Sequence, residues 1–420
     1  MRAITFRESN IVFNMIRMLV LWLAVAPLLA LADGEIRISE AKGGYVKIEL
    51  SSNEPKQLCT GKIEPLFDPE LGIKKVSERV YLQQLNSEAG GNAVYLKAAR
   101  MGGGIYMYLP YFIPNGDCPN VVFNVEAKHI LWDGKWLTGN VRISTAAVRQ
   151  KAIFFTNEPM PLIEGATYFD HEIPAPVLVQ LKSSFGQIIA FYQNVLGADP
   201  MRNIGVVAAI AHNDGKYFGF GGDSLNIIRM SYDNPRPDDL LSLHQIFPNT
   251  FAHELAHKLQ NEKLFKYAPA RYIVEGGADF LKVIVLRGAG MIDDEKTKEM
   301  VLKAATECGK FADERSLFDK VQQKSFNYRE AYDCGMVYYF MAYYSSDLPA
   351  WDFMDIFLKA MSGEKNYTAH VDSLCLLFET SCQNERLNGV AGGKTSYLQQ
   401  MEWLKGTLAA HSFILARRQK

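Results

Sequence analysis

Two histidines four residues apart, followed by two acids with the same spacing, constrain this chain more than any other feature. Residues 253–257 read HELAH, and residues 272–280 read YIVEGGADF. An i, i+4 spacing places both imidazoles on one face of a helix, about one turn apart. Glu275 and Asp279 also share one helical face, so the sequence predicts two helices that approach each other around a small ion.

The residue types on these two helices are those that bind zinc. His253 and His257 offer two nitrogens, and Glu275, eighteen positions after His257, offers an oxygen. Two histidines and a glutamate form the ligand set of catalytic zinc sites, in which water takes the fourth position. Glu254 lies next to the histidine face, where it can act as general base toward that water. The sequence therefore predicts one Zn2+ per chain and a zinc-activated water.

Three further residues support this site. Asp279 can accept a hydrogen bond from the free ring N–H of His253 and fix its tautomer. Gly276 and Gly277 have no side chains, which lets two helices approach closely. An HExxH pattern alone also arises by chance on ordinary helices, and the second segment alone is typical of a glycine-containing helix with solvated acids. Both patterns together, with compatible spacing, are the stronger signal.

The charge balance of the 420 residues excludes several classes of protein. Lys and Arg number 45 against 46 Asp and Glu, a formal net charge of −1, and 48% of the residues are hydrophobic. Disorder of the whole chain needs low hydrophobicity and high net charge. No basic excess is available to neutralise phosphates, so we expect no nucleic-acid partner. At this length two or three domains are expected.

The amino terminus has the features of a secretory signal. Residues 18–32 read MLVLWLAVAPLLALA, an uncharged run that follows Arg17 and ends in small residues. A positive start, a short apolar core and a small-residue cleavage site are typical of a signal peptide. We therefore expect a signal peptide over 1–32 and an exported protein, periplasmic or extracellular, with no stable membrane span after cleavage. The alternative is an uncleaved membrane anchor, although the run is short of the roughly 20 apolar residues that a spanning helix needs.

Six cysteines fit the export prediction. None of them forms a CxxC motif, and an even number in an exported chain favours disulfides. Buried free thiols are the alternative for each pair, because sequence cannot fix their geometry. The expected pairs are sequential: Cys59–Cys118, Cys308–Cys334 and Cys375–Cys382.

The apolar pattern predicts an α+β protein with three regions after the signal peptide. Residues 33–165 form a β-rich amino-terminal domain, expected to be an antiparallel sandwich because segments such as 45–50 alternate apolar and polar residues. Residues 166–345 form a second domain, and residues 346–420 a helical carboxyl-terminal part. The second domain is predicted to contain a helix over 177–196, strands over 204–210, 217–222 and 226–230, and a helix that starts near Asn249 or Thr250.

Together these residues resemble the gluzincin metallopeptidases, in which HExxH is followed by a downstream glutamate ligand. The likeness is greatest to the aminopeptidase N-like and glycyl aminopeptidase-like families and runs from about Pro176 to Met341. It implies a thermolysin-like catalytic domain. Residues 332–335 read YDCG, similar to a Tyr-x-Lys-Gly motif of these families, which implies that Tyr332 donates its phenol to the oxyanion. The alternatives to Tyr332 are Tyr328, Tyr338 and Tyr339.

The sequence departs from the aminopeptidase N-like pattern at three places. Cys334 takes the place of the motif's lysine, and the spacing from His257 to Glu275 is one residue shorter. The family's Gly-x-Met-Glu-Asn strand, whose glutamate holds the amine of the substrate, corresponds here to GGDSLN over 221–226, which has no glutamate. This segment could still pair with a peptide backbone by strand addition. The candidate substrate-binding residues are Gly221, Gly222 and Asp223, with Asp223 either an anionic anchor or part of a solvated turn.

The resemblance implies a zinc metallopeptidase that acts on a peptide or protein substrate, and the signal-like amino terminus predicts that it is exported. One alternative is a non-catalytic peptide-binding protein with a structural zinc, and another is an enzyme that hydrolyses a non-peptide amide at the same site. The sequence leaves exopeptidase or endopeptidase action and the oligomeric state open. The remaining histidines are expected to be structural or exposed: His129, His171, His212, His244, His370 and His411.

Overall fold

Two β-sheets and a set of long helices make up the part of the chain that the structure describes. A computed structural model describes residues 34–51, 66–85, 97–115, 121–158, 165–196, 199–212, 219–260, 271–315, 328–345, 348–349, 352–353 and 394–410. Contacts divide the chain into two units, of which the first runs to residue 159 without 101–103 and 131–135, which belong to the second. The limits predicted from the sequence, 33–165, 166–345 and 346–420, stay a prediction.

The first unit contains a nine-stranded sheet. Its order is β3-β4-β2-β1-β7-β9-β6-β5, and β8 pairs with β7 outside this path. The strands are β1 (Gly34–Ala41), β2 (Tyr45–Leu50), β3 (Lys74–Lys75), β4 (Val80–Gln84), β5 (Ala98–Met101), β6 (Gly104–Tyr108), β7 (Val121–Trp132), β8 (Lys135–Ser144) and β9 (Ala152–Thr156). The β-rich amino-terminal region is thus confirmed.

The prediction of an antiparallel arrangement was wrong for one pair of strands. β1 runs antiparallel to β2, as expected, but parallel to β7, with Ile36 opposite Phe123. Alternation of apolar and polar residues, as in β2 with every second residue buried, tells which face of a strand is buried. It carries no information on strand direction, because both directions share the same side-chain period.

The second unit contains a four-stranded sheet in the order β10-β11-β13-β12. Its strands are β10 (Thr167–Phe169), β11 (Gly205–Ala211), β12 (Gly219–Ser224) and β13 (Ile227–Asp233). β10, β11 and β13 are parallel, and every residue of β11 is buried, as expected for a parallel strand covered on both faces. β12 runs antiparallel to β13 at the edge of the sheet.

Six helices of the described residues belong to the second unit. They are α1 (Ala175–Leu196), α2 (Pro237–Leu259), α3 (Arg271–Gly288), α4 (Asp294–Phe311), α5 (Tyr328–Ser345) and α6 (Lys394–Ala410). Residues from all six helices share one hydrophobic core with β11 and β13. Among the described residues, no helix combines the length and apolar character needed to cross a membrane. The predicted signal segment 1–32 lies outside the described residues.

The helix that carries HELAH begins well before the predicted start at Asn249 or Thr250. It begins at Pro237, where proline suits the first helical position and Asp239 accepts a hydrogen bond from the backbone N–H of Arg236. Pro248 inside the helix removes one backbone donor, which made the sequence resemble a helix boundary at that point. The helix continues because burial of its apolar face outweighs this local cost.

A disulfide joins α4 to α5. Cys308 and Cys334 are both buried, and their Cα atoms lie 4.8 Å apart. This predicted pair is therefore confirmed. The pairs Cys59–Cys118 and Cys375–Cys382 lie outside the described residues.

Candidate metal centre and active site

The structure brings together the three residues predicted to bind zinc. His253 and His257 project from consecutive turns of α2, and their Nε2 atoms lie 3.0 Å apart. Oε2 of Glu275, on α3, lies 3.4 Å from Nε2 of His253 and 3.3 Å from Nε2 of His257. Zinc ligands at about 2.0–2.1 Å from a tetrahedral ion are themselves about 3.3 Å apart. The donor set and its spacing therefore fit a zinc ion.

Each histidine has a partner that orients its ring. Nδ1 of His253 lies 2.7 Å from Oδ1 of Asp279, and Nδ1 of His257 lies 2.9 Å from Oε1 of Gln260. Gln260 also donates its amide to the backbone carbonyl of Val274, which ties the end of α2 to α3. With Nδ1 engaged, Nε2 of each ring points toward the other ligands. Asp279 was predicted in this position, whereas Gln260 was not, and its place three residues after His257 was the only signal for it.

Positive charge is favoured at this centre. Burial opposes a charge on the His253 imidazole, but the carboxylates of Asp279 and Glu275 raise its pKa to about 10. Burial also opposes the ionisation of Asp279, yet Lys282 and His253 hold the pKa of that carboxyl well below its usual range. Lys282 contacts Oδ1 of Asp279 at 2.6 Å. Carboxylates that stabilise a protonated imidazole also favour a cation bound in the same place.

Glu254, on α2, is buried against the edge strand β12. A Cβ atom built on Gly222 would lie 2.7 Å from Oε1 of Glu254 and 3.0 Å from Cγ2 of Thr250. A side chain at 222 would therefore displace the carboxylate of Glu254. Burial raises the pKa of the Glu254 carboxyl, and the neighbouring His253 and His257 partly offset this effect. A raised pKa suits a group that must both accept and return a proton.

Tyr332 lies beside the metal-ligand cluster. Its ring stacks on that of His253, with centroids 5.7 Å apart and an angle of 21° between the planes. Of the alternatives, Tyr338 and Tyr339 are fully buried in the core, and the side chain of Tyr328 lies outside the described residues. Of the candidate tyrosines with a described side chain, Tyr332 is thus the one that lies next to the metal-ligand cluster.

The helix that carries Tyr332 is held against α3 by a close backbone crossing. A Cβ atom on Gly276 would overlap the backbone of Gly335. Gly276 follows Glu275 directly, so the crossing sets the distance between a predicted metal ligand and α5. Gly276 thus has the steric role expected from the sequence.

Some of the residues at this centre, among them His253, Glu254 and Tyr332, line a cavity of about 720 Å³. Edge strand β12 contributes Phe220, Gly221 and Gly222, and the floor comes from α2. The residues from α3 and α5 are Asp279, Lys282, Arg329 and Tyr332.

Asp223, the third candidate on β12, has a positive partner. Nε of Arg229 lies 2.7 Å from Oδ2 of Asp223, and both side chains are largely buried. The two residues face each other across the β12–β13 ladder. Register between two strands decides this pairing, and the sequence of either strand alone does not reveal it.

A second group of potential ligand atoms lies after the ends of β10 and β11. Asp170, His171 and Glu172 place one ligand atom each within 4.8 Å of the others, and His212 contacts Glu172 at 2.9 Å. The Asp170 carboxylate, however, already accepts hydrogen bonds from the backbone N–H groups of Ile210 and Glu172. The other side chains are exposed, which agrees with the expectation for His171 and His212.

Comparisons with known proteins give a structural match but no sequence match. No protein-family model matches the sequence, and no curated protein matches it. A mutant of the M1 zinc metallopeptidase from Deinococcus radiodurans has a similar structure, with a TM-score of 0.50 and 11% identity over 86% of this chain and 94% of that chain. The M1 zinc metallopeptidase from the same organism gives a TM-score of 0.47 and 12% identity, over 89% of this chain and 93% of that chain. The chain therefore shares its fold with the M1 zinc metallopeptidases, the aminopeptidase N-like family that its sequence resembles.

Proposed function

We propose that this chain is an exported zinc metallopeptidase with a thermolysin-like catalytic centre. The observation that carries the proposal is the convergence of the ligand atoms of His253, His257 and Glu275, with His253 and the neighbouring Glu254 at the wall of one cavity. The shared fold supports the same conclusion. Export is supported by the signal-like segment 1–32 and is compatible with the disulfide between α4 and α5.

His253, His257 and Glu275 would hold the zinc ion, and Asp279 and Gln260 would fix the orientation of the two imidazoles. When bound, zinc would polarise the scissile carbonyl and lower the pKa of its water toward about 7.

Glu254 would act as the general base. It would take a proton from the attacking water and pass it to the leaving amine, which requires a carboxyl that changes its protonation readily. Burial raises the pKa of this carboxyl above its usual value, which is the direction that this role requires. The contact with Gly222 limits the space available to the carboxylate and so helps to fix its position.

Tyr332 would donate its phenol O–H to the carbonyl oxygen as negative charge develops there. A donor held in place before the reaction stabilises the transition state more than the ground state. The stacking of Tyr332 on His253 is consistent with this role, because it holds the phenol next to a metal ligand.

The substrate would bind along β12. This strand lies at the edge of its sheet and carries no large side chain at Gly221 and Gly222, so an extended peptide could add to it through backbone hydrogen bonds. Asp223 lies on the same strand, but its carboxylate is shared with Arg229. We therefore assign backbone binding to the two glycines and only an indirect role to Asp223.

The competing interpretation is a peptide-binding protein with a structural zinc. Structural zinc sites are usually closed by four protein ligands. Here, among the described residues, only three ligand side chains converge, and one of them, His253, lines a cavity next to the buried carboxylate of Glu254, which no structural site would need. This arrangement favours catalysis.

Replacement of the general base tests the proposal. Glu254→Gln should retain one zinc per chain and lose hydrolysis of a peptide library, because the amide keeps the shape but cannot accept the proton. Glu299→Gln, an exposed residue of α4, is the control and should behave as wild type. Hydrolysis by Glu254→Gln at the wild-type rate would contradict the mechanism, and a chain that binds no zinc would contradict the metal site.

A further inference from the structure

The disulfide between Cys308 and Cys334 lies close to the proposed oxyanion donor along the chain. Cys334 follows Tyr332 by two residues on α5, at the position that the similar Tyr-x-Lys-Gly motif gives to lysine. Its partner, Cys308, belongs to α4. The helix that carries Tyr332 is thus bonded covalently to a neighbouring helix within one turn of that tyrosine.

Two adjacent residues hold α5 against two different helices. Cys334 is bonded to α4, and the backbone of Gly335 lies so close to Gly276 of α3 that a Cβ atom at 276 would overlap it. At 3.6 residues per turn, consecutive residues project about 100° apart, so these contacts lie on different faces of α5. By the same geometry, Tyr332 projects about 200° from Cys334, on nearly the opposite side. The disulfide therefore holds the helix from behind, while the ring of Tyr332 stacks on that of His253.

The disulfide acts on the half of α5 whose buried apolar side chains are small. Large aromatic side chains fix the second half of the helix in the core, among them those of Tyr338 and Tyr339, which are fully buried. Among the described side chains before Met336, the buried apolar ones are those of Ala331 and Cys334. The covalent bond therefore supplies the first half of α5 with an anchor that large side chains supply to the second half.

Small motions of this first half would displace the phenol. α5 begins at Tyr328, only four residues before Tyr332, and the ends of helices open more readily than their centres. The glycine crossing sets how closely α5 approaches α3, but glycines have no side chains that interlock with a neighbouring helix. A phenol oxygen stands farther from the helix axis than the Cα atoms, which lie about 2.3 Å from it, so a slight rotation moves the phenol most. The bond from Cys334 to α4 restricts both motions.

The helix at the other end of the bond is itself held in the core. The inward face of α4 is buried, including Val301, Ala304 and Ala305. The hydroxyl of Tyr397, on α6, donates to the backbone carbonyl of Ala305, one turn before Cys308. α4 is therefore a suitable anchor for the start of α5.

We infer that the Cys308–Cys334 disulfide positions Tyr332 for the reaction, by keeping its phenol directed at the proposed oxyanion. This inference rests on the proposed peptidase function and on the role of Tyr332 in it. A donor that is held in place before the reaction stabilises the developing charge, whereas one that must first be ordered stabilises it less. Loss of the bond should therefore lower kcat and leave KM and zinc content largely unchanged.

The test measures kcat and KM on one quenched fluorescent peptide, with the full zinc-loaded chain well below its unfolding midpoint. The Cys308→Ala/Cys334→Ala variant should lose about 10-fold in kcat, because a small displacement of a catalytic group is costly. Its KM should change by less than about threefold, as expected when an interaction made only in the transition state is weakened. Cys308→Val/Cys334→Ala, which keeps more of the buried volume without the bond, is measured in the same way in case the alanine pair does not fold.

A double-mutant cycle separates positioning from a general loss of stability. Tyr332→Phe removes the phenol and should lower kcat by about 100- to 1000-fold, the scale of one oxyanion donor. In the Tyr332→Phe background, removal of the disulfide should lower kcat by less than about twofold, because no donor is left to misplace. Tyr397→Phe is the control: it breaks a different link of α4, the one to α6, and should keep the wild-type kcat.

The outcomes separate this inference from the proposed function. A wild-type kcat without the disulfide would overturn the inference and leave the peptidase function intact. An equal loss of kcat in the Tyr332→Phe background, or in Tyr397→Phe, would do the same. If Tyr332→Phe itself keeps the wild-type kcat, the role of Tyr332 and this inference are both wrong, while the zinc site and Glu254 are unaffected. No hydrolysis of any peptide by the zinc-loaded wild-type chain would contradict the proposed function.

Discussion

Gly222 lies so close to Glu254 that a methyl group at 222 would reach within 2.7 Å of the carboxylate oxygen. The strand proposed to bind substrate and the residue proposed to move its proton are thus in direct contact. The same contact fixes the backbone of β12 at Gly222 and the carboxylate of Glu254, so a change at one residue should displace the other.

Gly222→Ala should lower kcat/KM by about 10- to 100-fold, because displacement of a catalytic group by a fraction of an ångström is costly. The fold should be retained, since the displaced atoms are the far end of a side chain. Gly186→Ala, on α1, is the control, because Gly186 does not line the cavity and a Cβ there meets nothing within 4 Å. Both variants would be assayed on one peptide, with zinc content measured in parallel. Equal activity of the two variants would contradict the proposed position of Glu254.

Asp279→Asn should weaken zinc binding by about 10- to 100-fold. The carboxylate accepts from Nδ1 of His253, and loss of such a partner lowers the basicity of a ligand and frees its orientation. Competition with a chelator of known affinity measures the change. Asp238→Asn, an exposed acid at the start of α2, should leave zinc affinity as in wild type. An unchanged affinity in Asp279→Asn would show that this residue does not support His253.

Removal of the disulfide should destabilise the second unit. Cys308 and Cys334 are 26 residues apart. A disulfide that closes a loop of that length lowers the conformational entropy of the unfolded chain and stabilises the folded state by about 3 kcal/mol. Urea unfolding of a Cys308→Ala/Cys334→Ala double variant should therefore show a lower midpoint than wild type in oxidising buffer. In reducing buffer the difference between the two proteins should largely disappear. Equal midpoints in oxidising buffer would show that the bridge adds no stability.

Spacing made the centre of the site predictable. Helix geometry converts a separation of four residues into a shared direction, so His253 and His257 had to point the same way. The same rule related Asp279 to Glu275, and in the structure Asp279 contacts His253 across the two helices. The β-rich start and the helical carboxyl-terminal part were also predictable, because apolar periodicity reports which faces are buried.

Features that depend on partners distant in sequence were not predictable. The ion pair between Asp223 and Arg229 depends on the register of β12 and β13. The parallel pairing of β1 with β7 depends on the direction in which each strand runs. Gln260 is held in place by a hydrogen bond to the backbone carbonyl of Val274, and no local sequence pattern predicts this contact. The early start of α2 was hidden by Pro248, whose local penalty is outweighed by burial along the rest of the helix.

The crossing of α3 and α5 at Gly276 and Gly335 has a consequence for the comparison of sequences. Glu275 directly precedes one of these glycines, and Tyr332 comes three residues before the other. In a related chain with a larger residue at either place, the two helices would have to lie farther apart. The distance between its tyrosine and its glutamate would then differ. This pair of glycines therefore serves as a marker, readable in sequence alone, of chains that build the site in the way described for this one.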